Sequence, residues 1–367
     1  MVDPRLTKLA NVLVNYSVAI QPREWTLINA ELVAAPLARE VYRAVLRAGG
    51  FPLMMYSDEE LSEIGAKESN DEQLAYVSPV ERLVYDEIDA MISLRATNNT
   101  RMLNNIDPAI LAKRQAARRD LMATYMRRSA EGSLKWTLTQ YPTQASAQEA
   151  EMSLSEYADF VFGATYADRD DPVAEWRKVS AMQQRMVDWL KGKQHVTVKS
   201  ANCDLTLSIA DRVFLNADGQ KNMPDGEIFT GPVEESVNGW VRFTFPAIYQ
   251  GRAVEGVELR FEQGKVVDAK AAKNEAFLLS QLDIDPGARY VGEFAIGTNF
   301  GIQKFTGNIL FDEKIGGTFH MALGRSYPET GGKNTSAIHW DMICDMRAGG
   351  EIHVDGVLFY KDGQFVV

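Results

Sequence analysis

Two of the four histidines, His320 and His339, fall in one stretch of apolar, strand-like sequence, Phe319 to Asp341. Asp341 follows His339 by two residues, and positions i and i+2 of a strand face the same side, so this imidazole and this carboxylate can address one object. Three glutamates keep similar company: Glu227 in DGEIFTGP, Glu293 in YVGEFAIG, and Glu313, seven residues before His320. A charge placed in apolar, β-prone sequence is costly to bury unpaired. Mixed imidazole and carboxylate donors are what a pair of Zn²⁺, Co²⁺ or Mn²⁺ ions would need. There is no HExxH helix and no CxxC pair, so taken singly each residue reads more readily as an ordinary structural residue than as a ligand, and spacing alone is a weak metal signal. His353, with Asp355 two positions on, imitates the His339 and Asp341 pair and is read as background, as is His195.

Composition narrows the classes. The chain has 367 residues, 46% apolar and 24% charged, which fits about two domains of an ordinary globular protein. A net charge of −11 argues against a nucleic-acid partner, and the basic run Lys113 to Arg119 reads as a solvated helix face. The first twenty residues lack a long apolar run, so neither a secretory signal nor a membrane span is expected. Cys203 and Cys344 form no motif, which suits a reducing compartment and a cytoplasmic location.

The elements that must position the candidate donors follow from periodicity. Residues 5–16 carry Leu6, Leu9, Ala10 and Leu13 at helical spacing. A strand at 25–28, a helix over about 34–48 ending at Gly49-Gly50, and a strand at 51–56 come next. A helix at 79–85, a strand at 90–94, a helix over 108–128 and a strand at 134–139 continue the alternation, which implies a parallel sheet flanked by helices. No G-x-G-x-x-G follows the first strand, and Gly331-Gly332-Lys333-Asn334 lacks the rest of a phosphate loop. Residues 153–193 read as helical, capped at Ser153, broken at Asp170-Asp171-Pro172 and longest over 173–191. Beyond Gly192 short strands dominate: 196–199, 204–209, 213–215, 240–249, 257–261, 266–269 and 358–367, with hairpin turns at 262–264 and 361–363. The fold class expected is an N-terminal α/β domain with a parallel sheet, residues 1–194, followed by a β-rich α+β catalytic domain, residues 195–367. All the candidate donors lie in the second.

Taken together and in order, PDGEIFTGP, ARYVGEFAIGTN, ILFDEKIGGTFHMALGRSYPET and NTSAIHWDMI resemble the signature blocks of the aminopeptidase T / aminopeptidase S family of thermophilic-type metallo-aminopeptidases. The resemblance covers most of residues 196–367. It implies an exopeptidase with two divalent ions that acts on peptides with a free N-terminus, and a homodimer enclosing its active site. Carried over position by position, the metal ligands would be Glu227, Glu293, Glu313, His320, His339 and Asp341, and Tyr327 would stand close to the ions. The stretch between Tyr327 and His339 is shorter and less charged than the family's usual spacer, which bears on substrate preference and the cavity rim.

The chemistry such a site serves is hydrolysis by water whose pKa falls on metal coordination. Glu293, flanked by apolar residues that fix it, is the expected bridging ligand; Glu313 and Glu227 are the candidates for a proton shuttle. Tyr327 would stabilise the oxyanion or cap a metal, unless it simply packs at a strand end. Gly316 and Gly317 would let the chain bend between Glu313 and His320. Two rival readings stay open: a two-metal hydrolase of another amide or ester, and a non-catalytic peptide-binding protein with one structural metal. A serine hydrolase lacks its G-x-S-x-G elbow, and Ser326 beside Tyr327 shows no sign of activation.

Overall fold

The computed structural model describes residues 3–367. They pack as two compact units, the first reaching Glu175 and including Gly219–Pro224, the second comprising Trp176–Asp218 and Asp225–Val367.

In the first unit α1 (Pro4–Val12) begins at Asp3, whose carboxylate accepts the Arg5 backbone N–H, and it runs on into a π-helical turn over Leu13–Ser17. The expected alternation follows as β1 (Trp25–Glu31), α2 (Ala35–Arg47) and β2 (Phe51–Ser57). Then come α3 (Glu59–Glu68), α4 (Asp71–Ala75) and α5 (Pro79–Glu87) before β3 (Ala90–Arg95). The sequence reading lacks α3 and α4, because the side chains that would mark an apolar stripe, such as Leu61, Ile64 and Tyr76, are exposed. The single helix expected over 108–128 is two, α6 (Pro108–Ala117) and α7 (Arg119–Ala130), parted at Arg118, where ψ is 4°. After β4 (Lys135–Gln140), α8 (Gln144–Glu149) and α9 (Leu154–Ala164) complete the run, α9 with a capping box between Ser153 and Glu156. The strands form one sheet in the order β2-β1-β3-β4, all parallel, to which β8 (Asn222–Met223) adds beside β4. Val84 of α5 and Tyr125 of α7 pack on the face bearing Leu27 and Met91, so the parallel sheet flanked by helices is as expected.

The second unit holds most of α10 (Pro172–Leu190), which starts at the expected proline. Among the described residues an eight-stranded antiparallel sheet is built from β5 (His195–Ser200), β6 (Cys203–Ser208), β10 (Asn238–Arg242), β13 (Glu258–Glu262), β14 (Lys265–Lys270), β18 (Glu351–Val354), β19 (Val357–Lys361) and β20 (Gln364–Phe365). A five-stranded sheet, ordered β17-β16-β15-β9-β7, uses β7 (Leu215–Ala217), β9 (Glu227–Thr230), β15 (Val291–Gly297), β16 (Thr318–Gly324) and β17 (His339–Asp345). Between them in sequence lie the hairpin β11 (Ala247–Tyr249) and β12 (Arg252–Val254) and the short helices α11 (Glu275–Leu282) and α12 (Ile309–Asp312). The strand expected over 240–249 is interrupted, since Pro246 has no N–H for a ladder. That expected over 358–367 is the β19-β20 hairpin, turning at Asp362, which has φ 48°. The short strand expected at 213–215 begins only at Leu215.

Alternation along the five-stranded sheet sets up everything that follows. Ile228, Phe294, Ile296, Phe319, Met321, Trp340 and Met342 turn inward to one core with Val198, Leu205 and Phe261 of the larger sheet. By the period of two, the opposite face carries Glu227, Glu293, His320, His339 and Asp341. Among the described residues no helix is long and apolar enough to cross a membrane.

Candidate metal centre

Register brings these side chains into neighbouring rows. His320 pairs with Ala295, Ala322 sits between Glu293 on β15 and Asp341 on β17, Gly297 pairs with Glu227, and Gly324 pairs with His339. His320, Glu293 and Asp341 therefore stand beside the small side chains of Ala295 and Ala322 on their own face, whereas at Gly297 and Gly324 the missing Cβ makes way for the carbonyl oxygens of Ile315 and Ile338, each 2.2 Å from where it would lie. Ala322→Leu should keep the core face intact yet reduce metal uptake, since overpacking at a tight position typically costs about 1–3 kcal/mol. Metal analysis beside thermal unfolding checks this; full loading of the variant would show that the face has space to spare.

Local backbone features aim two of the glutamates. The register shifts between Val291 and Glu293, a bulge that re-aims the side chain after it. Gly292 is required there, because a Cβ would lie 2.2 Å from the Gly324 carbonyl oxygen. Ser326 is not an activated nucleophile but a tie to this bulge, its hydroxyl donating to the Gly292 carbonyl at 2.8 Å. Glu313 closes α12, and Gly317, at φ 95°, turns the chain into β16. The glycine pair thus makes the bend between Glu313 and His320 that the sequence suggests.

The six side chains converge on one place in three overlapping sets: Glu227, Glu293 and His320; Glu293, His339 and Asp341; Glu313, His320 and Asp341, with donor atoms in each set within 4.8 Å of one another. Glu293 turns one oxygen to each imidazole, Oε1 lying 3.6 Å from His320 Nε2 and Oε2 3.3 Å from His339 Nε2. His339 Nε2 is also 3.5 Å from Asp341 Oδ1. Its Nδ1–H donates to the Arg325 carbonyl at 2.8 Å, which leaves the Nε2 lone pair facing the carboxylates in the neutral ring. Tyr327 packs edge-on against this imidazole, ring centroids 5.2 Å apart, and against Phe229. Glu227, Glu293 and His320 are buried while Tyr327 is 45% exposed, so the cluster opens on the Tyr327 and His339 side.

Several observations fit divalent cations. Glu227 Oε2 approaches His320 Nε2 at 3.1 Å, yet among the described residues it is buried without an aligned hydrogen-bond partner. Charge agrees: Asp225, Glu227, Glu293, Glu313 and Asp341 against Lys314 leave four negative charges, which two divalent ions would balance. Without ions, protons take that role. Burial pulls His320 and His339 down, but the neighbouring carboxylates hold both well above the ordinary imidazole value. Burial pushes Glu313 up to about 8 against the pull of Lys314. Asp341 resists burial and is held at about 2 by His339.

Sequence reasoning missed the support around these residues. Lys314, fully buried, reaches Glu227 Oε1 at 2.5 Å and Glu313 Oε1 at 2.7 Å. Gln183 of α10 donates from Nε2 to the carbonyl oxygens of Ala217 and Glu227 and to Thr298 Oγ1, each at 3.0 Å, pinning the start of β9. The signal for Lys314 was present: a lysine directly after a candidate ligand and before an apolar run. His353 stays outside the cluster. Asp355 falls in a turn at φ 48° and accepts the Gln194 and His195 backbone N–H groups, so the pair does not share a strand face.

Known proteins resemble this chain along its length. The sequence profile of the family described as thermophilic metalloprotease (M29) matches residues 2–365. Aminopeptidase 2 of Geobacillus stearothermophilus is 29% identical over 402 residues, covering 99% of this chain and 95% of that protein. Among solved structures, wild-type AmpT from Thermus thermophilus has a TM-score of 0.84 at 24% identity, covering 99% of both chains. A 2,5-dihydroxypyridine dioxygenase from Pseudomonas putida KT2440 has a TM-score of 0.58 at 13% identity, covering 99% of this chain and 97% of that one. These two structural likenesses speak to the fold alone.

Proposed function

The chain belongs to the M29 thermophilic metalloprotease family, and we propose that it is a metal-dependent aminopeptidase whose two-metal centre is held by Glu227, Glu293, Glu313, His320, His339 and Asp341. The observation that carries the number of ions is the overlap of the three donor sets through Glu293, His320 and Asp341, which supports two adjacent ions rather than one closed structural site. Glu293, whose two oxygens face different imidazoles, would be the ligand shared between the ions in this reading. Bound divalent ions would supply Lewis acidity and lower the pKa of water, the two things amide hydrolysis at neutral pH lacks.

The remaining roles belong to side chains. Substrate enters on the open side, where Tyr327 lies. Although 45% exposed, Tyr327 packs closely enough on the cluster that partial burial and the carboxylates raise its phenol above the ordinary value, so it stays protonated and would donate to the carbonyl oxygen as charge builds there. Of the two shuttle candidates for the leaving amine, Glu313, which is partly exposed where Glu227 is buried, would be the better placed to exchange a proton.

The catalytic work is assigned to residues 195–367, which apart from Gly219–Pro224 lie in the second compact unit, a unit that begins at Trp176 rather than at the expected boundary near 194. Zn²⁺, Co²⁺ and Mn²⁺ all suit this donor set. Two free thiols accord with a cytoplasmic location, and a homodimer follows from the family resemblance. The test compares one peptide with a free and with an acetylated N-terminus. Release of the first residue from the free-amine form only is expected; equal hydrolysis of both forms would point to another amide or ester hydrolase.

A further inference from the structure

Lys314 is a buried cation at the centre whose ammonium offers three N–H donors and no lone pair for a metal. It is 1% exposed, on the turn that follows α12. Its Nζ lies 2.5 Å from Glu227 Oε1, 2.7 Å from Glu313 Oε1 and 3.6 Å from Asp225 Oδ1. Burying an ammonium costs several kcal/mol unless carboxylates surround it, and here the carboxylates that do so include two of the proposed ligands. Each contact occupies one carboxylate oxygen. In Glu227 the other oxygen, Oε2, is the one that approaches His320 Nε2 and lacks an aligned partner among the described residues.

We propose that Lys314 is a positioning residue: by holding Oε1 of Glu227 and of Glu313 it makes each a one-oxygen donor and so limits the coordination number at the ions. The inference rests on the two-metal reading and adds to it a residue that binds no metal. Carboxylates bind metals through one oxygen or through both. Without the ammonium, Oε1 of both glutamates is free to turn to the ions, and coordination rises.

Cobalt reports this directly, because the visible d–d absorption of Co²⁺ weakens as coordination number increases. Wild type, Lys314→Met, Lys314→Gln and, as a control, Lys361→Met at the exposed end of β19 would be loaded with Co²⁺, then assayed for ions bound per chain and for absorption per ion. Lys314→Met is expected to keep its cobalt while absorption per ion falls by about two-fold or more, a geometry change without loss of ligands. Lys314→Gln, which keeps N–H donors without the charge, should fall between; it also serves if the methionine variant does not fold. Lys361→Met should match wild type. Folded Lys314 variants with the wild-type spectrum would overturn the role of Lys314 alone. A wild type that binds no cobalt would overturn the two-metal reading, and this inference with it.

Discussion

Replacing Glu293 with alanine should remove activity almost entirely. Losing an outer partner of a metal site typically costs about 10–100-fold, and Glu293 is more than that: its two oxygens face different imidazoles, at 3.6 Å and 3.3 Å. The variant should lose at least one ion per chain together with a fall in kcat/KM well beyond that range. Glu293→Gln keeps the shape and loses the charge, and should fail nearly as badly if the carboxylate bridges. The fold should survive both changes, because Glu293 points away from the core that Phe294 and Ile296 enter. Metal analysis, steady-state kinetics and thermal unfolding on the same preparations separate these effects; a Glu293→Ala protein with full metal content and near-normal rate would remove the bridge.

Chelation should have the second largest effect. Activity should vanish and return with Co²⁺, Zn²⁺ or Mn²⁺, and stability should fall too, since each ion at 100 times its Kd contributes about 2.7 kcal/mol to the folded state. The dependence on pH has a definite sign. Ligands bind metal in their deprotonated forms, whereas in the metal-free protein His320 and His339 hold their protons well above the ordinary range and Glu313 releases its own at about 8. Loading therefore expels protons, and apparent affinity should rise with pH through about 8. Asp341, at about 2, contributes nothing to that slope near neutrality. Titration calorimetry in buffers of different ionisation enthalpy counts the protons released; uptake of protons, or none, would contradict the charge state assigned to the cluster.

The candidate donors stood out in the sequence because Glu227 and Glu293 interrupt apolar, β-prone runs, as Glu293 does in YVGEFAIG, and because four blocks follow in a recognisable order. What brings them together was not. β9 and β15 are neighbours in the sheet, yet β10 to β14 intervene in the chain and most of them join the other sheet; no local pattern announces that pairing. The small side chains of Ala295 and Ala322 beside the donors have meaning only once the register is known. Lys314 was passed over in the sequence, and only the structure puts its ammonium 2.5 Å from Glu227, far away in sequence. In the first unit the β-α-β alternation gave the sheet correctly, whereas α3 was invisible because Leu61 and Ile64 face outward. Strand content in the second half was anticipated, though Pro246 divides one expected strand.

The most direct test is a crystal structure of the protein loaded with Zn²⁺ or Co²⁺, with anomalous difference maps collected at the metal edge. Two peaks are expected, both within bonding distance of Glu293, roughly 2.0–2.2 Å for a carboxylate oxygen, one also bonded to His320 and the other to His339. A single peak closed by four protein ligands, or peaks placed away from Glu293, would contradict the two-metal centre and the hydrolytic function built on it.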